Sequence, residues 1–360
     1  GLLLSEGAVW KSHRRLMAPA FDPRAVAALA PMMGEMASEA AGTWREGPIN
    51  ILAEASRLTL RIISKAMFSN DSDTLMALIA EAVPEALALR PSLADLLPGL
   101  SAYSVAARER RSAAIFSRLN TAIAELIRSQ RAEGDAAPDD LLTRLIRAKD
   151  PETGEALSDA AIRDQAVIVY VAGHETTSVA LTWTFYILSQ RPEAEARLHA
   201  EVDALPADQM LGQEDLPRLP YTRAVIEEAM RVYPPAGLFV RQAVAADALV
   251  GIPVRRGQLA AVSPWIVHRN PDVWPDPERF DPERFLPGAP ARPRFAYIPF
   301  GAGPHICIGA QLALTEATIV LATLARRWRL TLQPGQTIAL RHRATLRPAQ
   351  DILMRALPRA

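Results

Sequence analysis

The stretch from Ala166 to Leu188 constrains this chain more than any other: it is nearly all apolar, and its polar interruption, Gly173-His174-Glu175-Thr176-Thr177-Ser178, falls near its middle. Helical spacing extends the element to 158–190, with Ser158 as a cap and Asp159 and Asp164 near the positive end of the helix dipole. A helix apolar on all sides belongs in a bilayer or at the centre of a large soluble core. A carboxylate at mid-bilayer would cost about 2.5–3.5 kcal/mol, and the chain offers no second comparable span. The central helix of a large core is therefore expected, with no transmembrane anchor, and 360 residues at 49% hydrophobic can build such a core.

Proline fixes the fold class around that helix. Of 29 prolines, nine precede residue 192 and twenty lie from there on. Proline breaks helices and ladders alike, so residues 1–220 should be mostly helical and 221–360 a mixture of helix, short strand and loop. Helical periodicity marks 24–45, 50–69, 72–89, 102–132, 158–190, 193–205, 221–233 and 309–328. Strand patterns bounded by Gly and Pro mark 237–244, 248–254 and 258–263. The expectation is a mainly α protein with small β-sheets, an α+β class.

Lys and Arg number 40 against 40 Asp and Glu, which leaves no global electrostatic reason to expect nucleic acid as a partner. The single cysteine, Cys307, cannot form an intramolecular disulfide, and no signal sequence is visible, so a cytoplasmic protein is expected. The chain opens at Gly1 directly into patterned sequence, which reads as a fragment or truncated chain.

Around the cysteine the sequence runs Phe300-Gly301-Ala302-Gly303-Pro304-His305-Ile306-Cys307-Ile308-Gly309, followed at once by a helical pattern. The glycines permit close backbone approach, and a helix N-terminus favours thiolate over thiol. Such a sulfur could be a nucleophile, which wants a base and an orienting Asn or Asp, or an axial metal ligand. A thiolate-held heme iron wants an apolar pocket on its far face and cations for two propionates. Trp10, Arg14, Arg241 and His305 are candidates for that second set, although each alone reads more simply as a surface or packing residue. Glu175 and Thr176 form a polar pair inside an apolar helix, suited to a proton relay if burial raises the carboxyl pKa. Gly173 would loosen the helix beside them, whereas the bland reading is a Thr-Thr-Ser run satisfying itself along the backbone. Glu228 and Arg231 are spaced to meet on one helical face, but the apolar side is set by Val225, Ile226, Ala229 and Tyr233. Periodicity alone makes the pair solvated.

Together these motifs, in this order along essentially the whole chain, resemble the cytochrome P450 superfamily of heme-thiolate monooxygenases, bacterial type. The resemblance implies one catalytic domain over 1–360, with the long helix over a heme b group and the cysteine loop beneath it, and with the family's first strands and helices missing. It implies Cys307 as the axial iron ligand in the heme signature. Trp10, Arg14, Arg241 and His305 would lie near the propionates, His305 standing where an arginine is common. Ala172, Gly173, Phe300, Gly301 and Gly309 would line the cofactor, with Glu175 and Thr176 as the acid and alcohol of oxygen activation. It also implies a buried structural network of Glu228, Arg231 and Arg284, which overrides the solvated reading.

The implied reaction inserts one atom of O2 into a lipophilic substrate by hydroxylation or epoxidation. Electrons would come from a ferredoxin with its reductase or from a flavoprotein reductase, since no flavin or nicotinamide motif is visible; a monomer is expected. Gly237, Leu238 and Phe239 are apolar candidates for the substrate pocket. The alternatives are a peroxide-driven peroxygenase, a non-catalytic heme sensor and a cysteine-nucleophile transferase.

Overall fold

Proline and acidic caps set several helix starts in the computed structural model, which describes residues 1–69, 78, 101–206, 209–342 and 345–359. The first helices are α1 (Gly7–Met17), α2 (Pro23–Thr43) and α3 (Ile51–Phe68), with strand β1 (Gly47–Asn50) between the last two. Asp22 accepts the Ala25 amide at 2.7 Å and caps α2. There follow α4 (Ser101–Glu133), α5 (Leu141–Arg147) and the long α6 (Asp159–Ser189). Helices α7 (Pro192–Asp203) and α8 (Pro220–Val232) each begin on a proline, whose fixed φ suits a first helical turn. Strands β2 (Phe239–Gln242), β3 (Asp247–Leu249), β4 (Ile252–Val254) and β5 (Leu259–Val262) then precede the short α9 (Pro264–Val267). The chain closes with α10 (Ala310–Arg327), β6 (Trp328–Leu332), β7 (Leu340–His342), β8 (Leu346–Pro348) and β9 (Leu353–Pro358). The helix expected at 72–89 lies outside the described residues. No helix among the described residues is long and apolar enough to cross a membrane.

The chain divides into two compact units, Gly1–Ala25 with Thr59–His174, and Val26–Leu58 with Glu175–Ala360. In the first unit α3 lies directly on α6. The Ser64 and Tyr170 hydroxyls are 2.7 Å apart, the Phe68 and Tyr170 rings 6.0 Å, and the Thr59 hydroxyl donates to the His174 carbonyl at 3.1 Å. A Cβ on Gly173 would meet Ile63 at 3.0 Å. Gly173 therefore serves close helix packing, and α6 runs unbroken through it rather than loosening.

In the second unit α10 is buried along nearly its whole length and packs on α7 and α8. Strands β1, β9 and β6 form an antiparallel sheet with Ile49 opposite Met354 and Leu330 opposite Ala356. This sheet was not expected from the sequence. The single strand expected over 248–254 is instead a hairpin: Val250 and Gly251 both take positive φ (50° and 78°) and fold β4 back on β3. A Cβ on Gly34 of α2 would lie 2.0 Å from the Leu211 carbonyl oxygen. Alanine gains helix propensity worth about 1 kcal/mol, but no rotamer relieves a clash with backbone. We expect Gly34→Ala to cost a net of about 1–3 kcal/mol in urea denaturation, and an unchanged midpoint would contradict the close approach.

Candidate active site

The cysteine loop is shaped by backbone geometry that only glycine adopts readily. Gly301 and Gly303 stand at φ 76° and 75°, in the left-handed region. Around them the Gly301 amide donates to the Ile298 carbonyl at 3.1 Å, Ile306 to Gly303 at 3.1 Å, and Cys307 to Phe300 at 2.9 Å. The result presents Cys307, exposed, just before the N-terminus of the 18-residue α10, whose cap is Gly309. Gly303 and Gly309 open onto space where a side chain would stand. A soft sulfur donor at the positive end of a helix, with glycine openings beside it, fits a flat metallated macrocycle approaching from outside.

Phe300 and Gly301 are half-buried and His305 is exposed on the same loop. Strand β2, paired with β5, brings the Phe239 ring to 3.7 Å from the side-chain direction of Gly301. Arg241 lies two residues along the strand and so points to the same face as Phe239. It is exposed, with Nη1 donating to the Val240 carbonyl at 2.9 Å. A Cβ on Gly237 would meet the His342 ring at 3.2 Å, and the Gly237 carbonyl is held by the Ser263 hydroxyl at 3.0 Å.

Glu175 and Thr176 are half-buried at the start of the second unit's share of α6. Glu175 has partners from the C-terminal part of the chain. Its Oε1 accepts from the Thr345 hydroxyl at 2.8 Å and faces Arg347 Nη1 at 3.8 Å. Thr345 and Arg347 were missed because the C-terminal strands carry too little alternation to be read. In the first unit Trp10 is buried and Arg14 half-buried one turn apart on α1, while on α6 Ala172 is exposed and Gly173 half-buried.

Glu228 and Arg231 correct the periodicity reading, because both side chains are fully buried. Arg231 gives Nε and Nη2 to the two Glu228 oxygens at 2.6 and 2.8 Å. Its remaining hydrogens go to the carbonyls of His268 (2.9 Å), Pro277 (2.8 Å) and Arg279 (3.1 Å). Glu228 Oε1 also accepts the Asp281 amide at 2.8 Å and faces Arg284 Nε at 3.5 Å. Burial pushes the Glu228 carboxyl up, against the pull of Arg231. The pattern misled because the segment 268–285 wraps the side of α8 that carries Glu228 and Arg231 and supplies the carbonyls.

The comparisons with known proteins show the family and the fold. The family model described as Cytochrome P450 matches residues 1–355. Cyclooctat-9-en-7-ol 5-monooxygenase of Streptomyces melanosporofaciens is 39% identical over 346 residues, covering 94% of this chain and 74% of that one. Pentalenene oxygenase of Streptomyces avermitilis is 33% identical over 340 residues, 90% of this chain and 72% of its own. The crystal structure of the cytochrome P450DA heme domain superposes with a TM-score of 0.86 at 31% identity, covering 99% of this chain and 79% of that one. A mainly α fold with small sheets, an exposed cysteine at the head of a buried helix and these matches lead to one conclusion: the chain belongs to the cytochrome P450 family and is a heme-dependent monooxygenase.

Proposed function

We propose that this chain holds heme b through Cys307 and inserts one oxygen atom into a lipophilic, terpenoid substrate. The observation that carries the reading is the exposed sulfur on a glycine-shaped loop at the start of α10. The substrate class draws on the relatives, which are named for cyclooctat-9-en-7-ol and pentalenene. It also draws on the apolar segment Gly237-Leu238-Phe239 beside the loop. When bound, the heme activates O2, and thiolate donation favours O–O cleavage.

The protein's own residues do the rest. Trp10, Arg14, Arg241 and His305 would supply donors and positive charge for the two propionates. Phe300, Gly301 and Gly309 on the cysteine loop, and Ala172 and Gly173 on α6, are the residues that would border the macrocycle. Thr345 and Arg347 hold Glu175 through Oε1, and Glu175 and Thr176 are the acid and alcohol of the proton relay. Electrons arrive from a ferredoxin with its reductase or from a flavoprotein reductase. The single cysteine suits a monomeric enzyme in the reducing cytoplasm.

Thr176→Ala tests the relay. It is expected to retain the cofactor but to divert NAD(P)H-derived electrons to peroxide or water, with product formation falling by about a hundredfold, the lower end for a lost proton-transfer group. Unchanged coupling would remove Thr176 from the relay.

A further inference from the structure

His268, just past α9, occupies a position that the chemistry described above does not use, between the buried Glu228–Arg231 pair and the cysteine loop. Its ring is fully buried. The Ile298 amide donates to His268 Nε2 at 2.9 Å. A backbone N–H can only donate, so Nε2 must be the unprotonated nitrogen, and the proton therefore sits on Nδ1. Nδ1 lies 3.3 Å from the Arg231 carbonyl, one of the last carbonyls of α8 and without an intrahelical partner. Arg231 Nη1 returns a hydrogen bond to the His268 carbonyl at 2.9 Å, so the two residues bind each other twice.

The far end of this connection is the base of the cysteine loop. The Ile298 carbonyl accepts the Gly301 amide at 3.1 Å, and Phe300, between them, accepts the Cys307 amide at 2.9 Å. The two residues before Ile298 are held as well. The Tyr297 hydroxyl donates to the Glu227 carbonyl at 2.8 Å, and Trp274 Nε1 to the Ala296 carbonyl at 3.2 Å. Tyr297 and Trp274 thus hold the two residues before Ile298, and His268 alone of the three binds Ile298 itself, the residue whose carbonyl starts the loop's own hydrogen bonds. Burial drives the ring's pKa down to about 4, so the neutral tautomer that this geometry needs persists at neutral pH.

We propose that His268 is a positioning residue for the iron-binding loop, coupling the rigid Glu228–Arg231 frame to the backbone that aims Cys307. The inference rests on Cys307 as the iron ligand. Its first consequence is a fixed loop geometry whether or not substrate is present; its second is that loss of the ring nitrogens should loosen the loop locally before it loosens the fold.

The test uses His268→Phe, which keeps an aromatic ring but removes both hydrogen bonds, and His268→Gln, whose Oε1 can still accept from Ile298. In the purified protein, amide exchange at Ile298, Gly301 and Cys307 should accelerate by about ten- to a hundredfold in His268→Phe, the range expected for a lost buried hydrogen bond, while α10 amides stay protected. The fraction of the ferrous–CO spectrum in the red-shifted thiolate band should fall in the same variant, and His268→Gln should restore both. Unchanged loop exchange in His268→Phe would overturn the proposal, as would equal acceleration throughout the second unit. If His268→Phe does not fold, nitrogen-15 NMR of the wild type decides: an Nε2–H tautomer would overturn the proposal, and an Nδ1–H tautomer with Gln rescue would support it. A wild type lacking the thiolate band would instead remove Cys307 as ligand, and the exchange measurement separates that failure from one of His268.

Discussion

Replacing Arg231 by alanine is expected to remove a large share of the protein's stability. The guanidinium donates to both Glu228 oxygens and to the carbonyls of His268, Pro277 and Arg279, and it has no exposure to water. Its loss leaves the buried Glu228 carboxylate with only the Asp281 amide and the more distant Arg284, and takes the guanidinium donor from three carbonyls in a dry interior. Breaking a buried pair in this way costs about 3–5 kcal/mol, against a total stability of about 5–15 kcal/mol for a typical domain. An exposed i,i+3 pair would contribute only about 0.2–0.5 kcal/mol, so the size of the loss separates the two environments. Urea denaturation of Arg231→Ala, Glu228→Gln and the double variant forms a cycle. The penalties should be strongly non-additive, because the second removal no longer strands a charge. Additivity within about 0.5 kcal/mol would show that the two side chains do not act as a pair.

Cys307→Ser should have the second large effect, and it should fall on chemistry rather than on stability. The side chain is exposed, and the backbone bond from the Cys307 amide to the Phe300 carbonyl does not depend on the sulfur. The fold should therefore change by no more than about 0.5 kcal/mol, as for other exposed substitutions. A hydroxyl is a weaker and far less acidic donor than a thiol, so the red-shifted ferrous–CO band should vanish and monooxygenase turnover should drop to background. A Cys307→Ser preparation that kept the thiolate band would exclude this cysteine as the ligand. The contrast with Arg231 is informative: one residue supports the frame with little direct chemistry, and the other is proposed to carry the chemistry with little structural cost.

Much of the helical framework was legible before any coordinates. The segment expected at 158–190 is α6 at 159–189, and that expected at 309–328 is α10 at 310–327, because long apolar periodicity bounded by caps and prolines is a local signal. The C-terminal strands were not legible. Strand β9 is flanked on both sides by β1 and β6, and what makes it a strand is pairing with residues some 300 positions away as much as its own pattern. The hairpin at 247–254 was misread for the opposite reason, since Val250 takes a positive φ that valine rarely adopts and only Gly251 announced the turn.

By itself the sequence determined the chemistry the chain could carry: one cysteine in a glycine-shaped approach to a helix, an acid and an alcohol inside an apolar helix, and a helical fold to house them. These are properties of residue type and near spacing. Tertiary structure decided which charged groups are buried and what each polar atom touches. It placed Glu228 and Arg231 in the interior although periodicity put them outside, because the segment 268–285 folds over their face and brings the carbonyls that make burial tolerable. It gave Glu175 the partners Thr345 and Arg347, and it set His268 between Arg231 and Ile298. The physical reason is the same in each case. The free energy of a buried polar group depends on partners brought from distant parts of the chain, and local spacing carries no information about them.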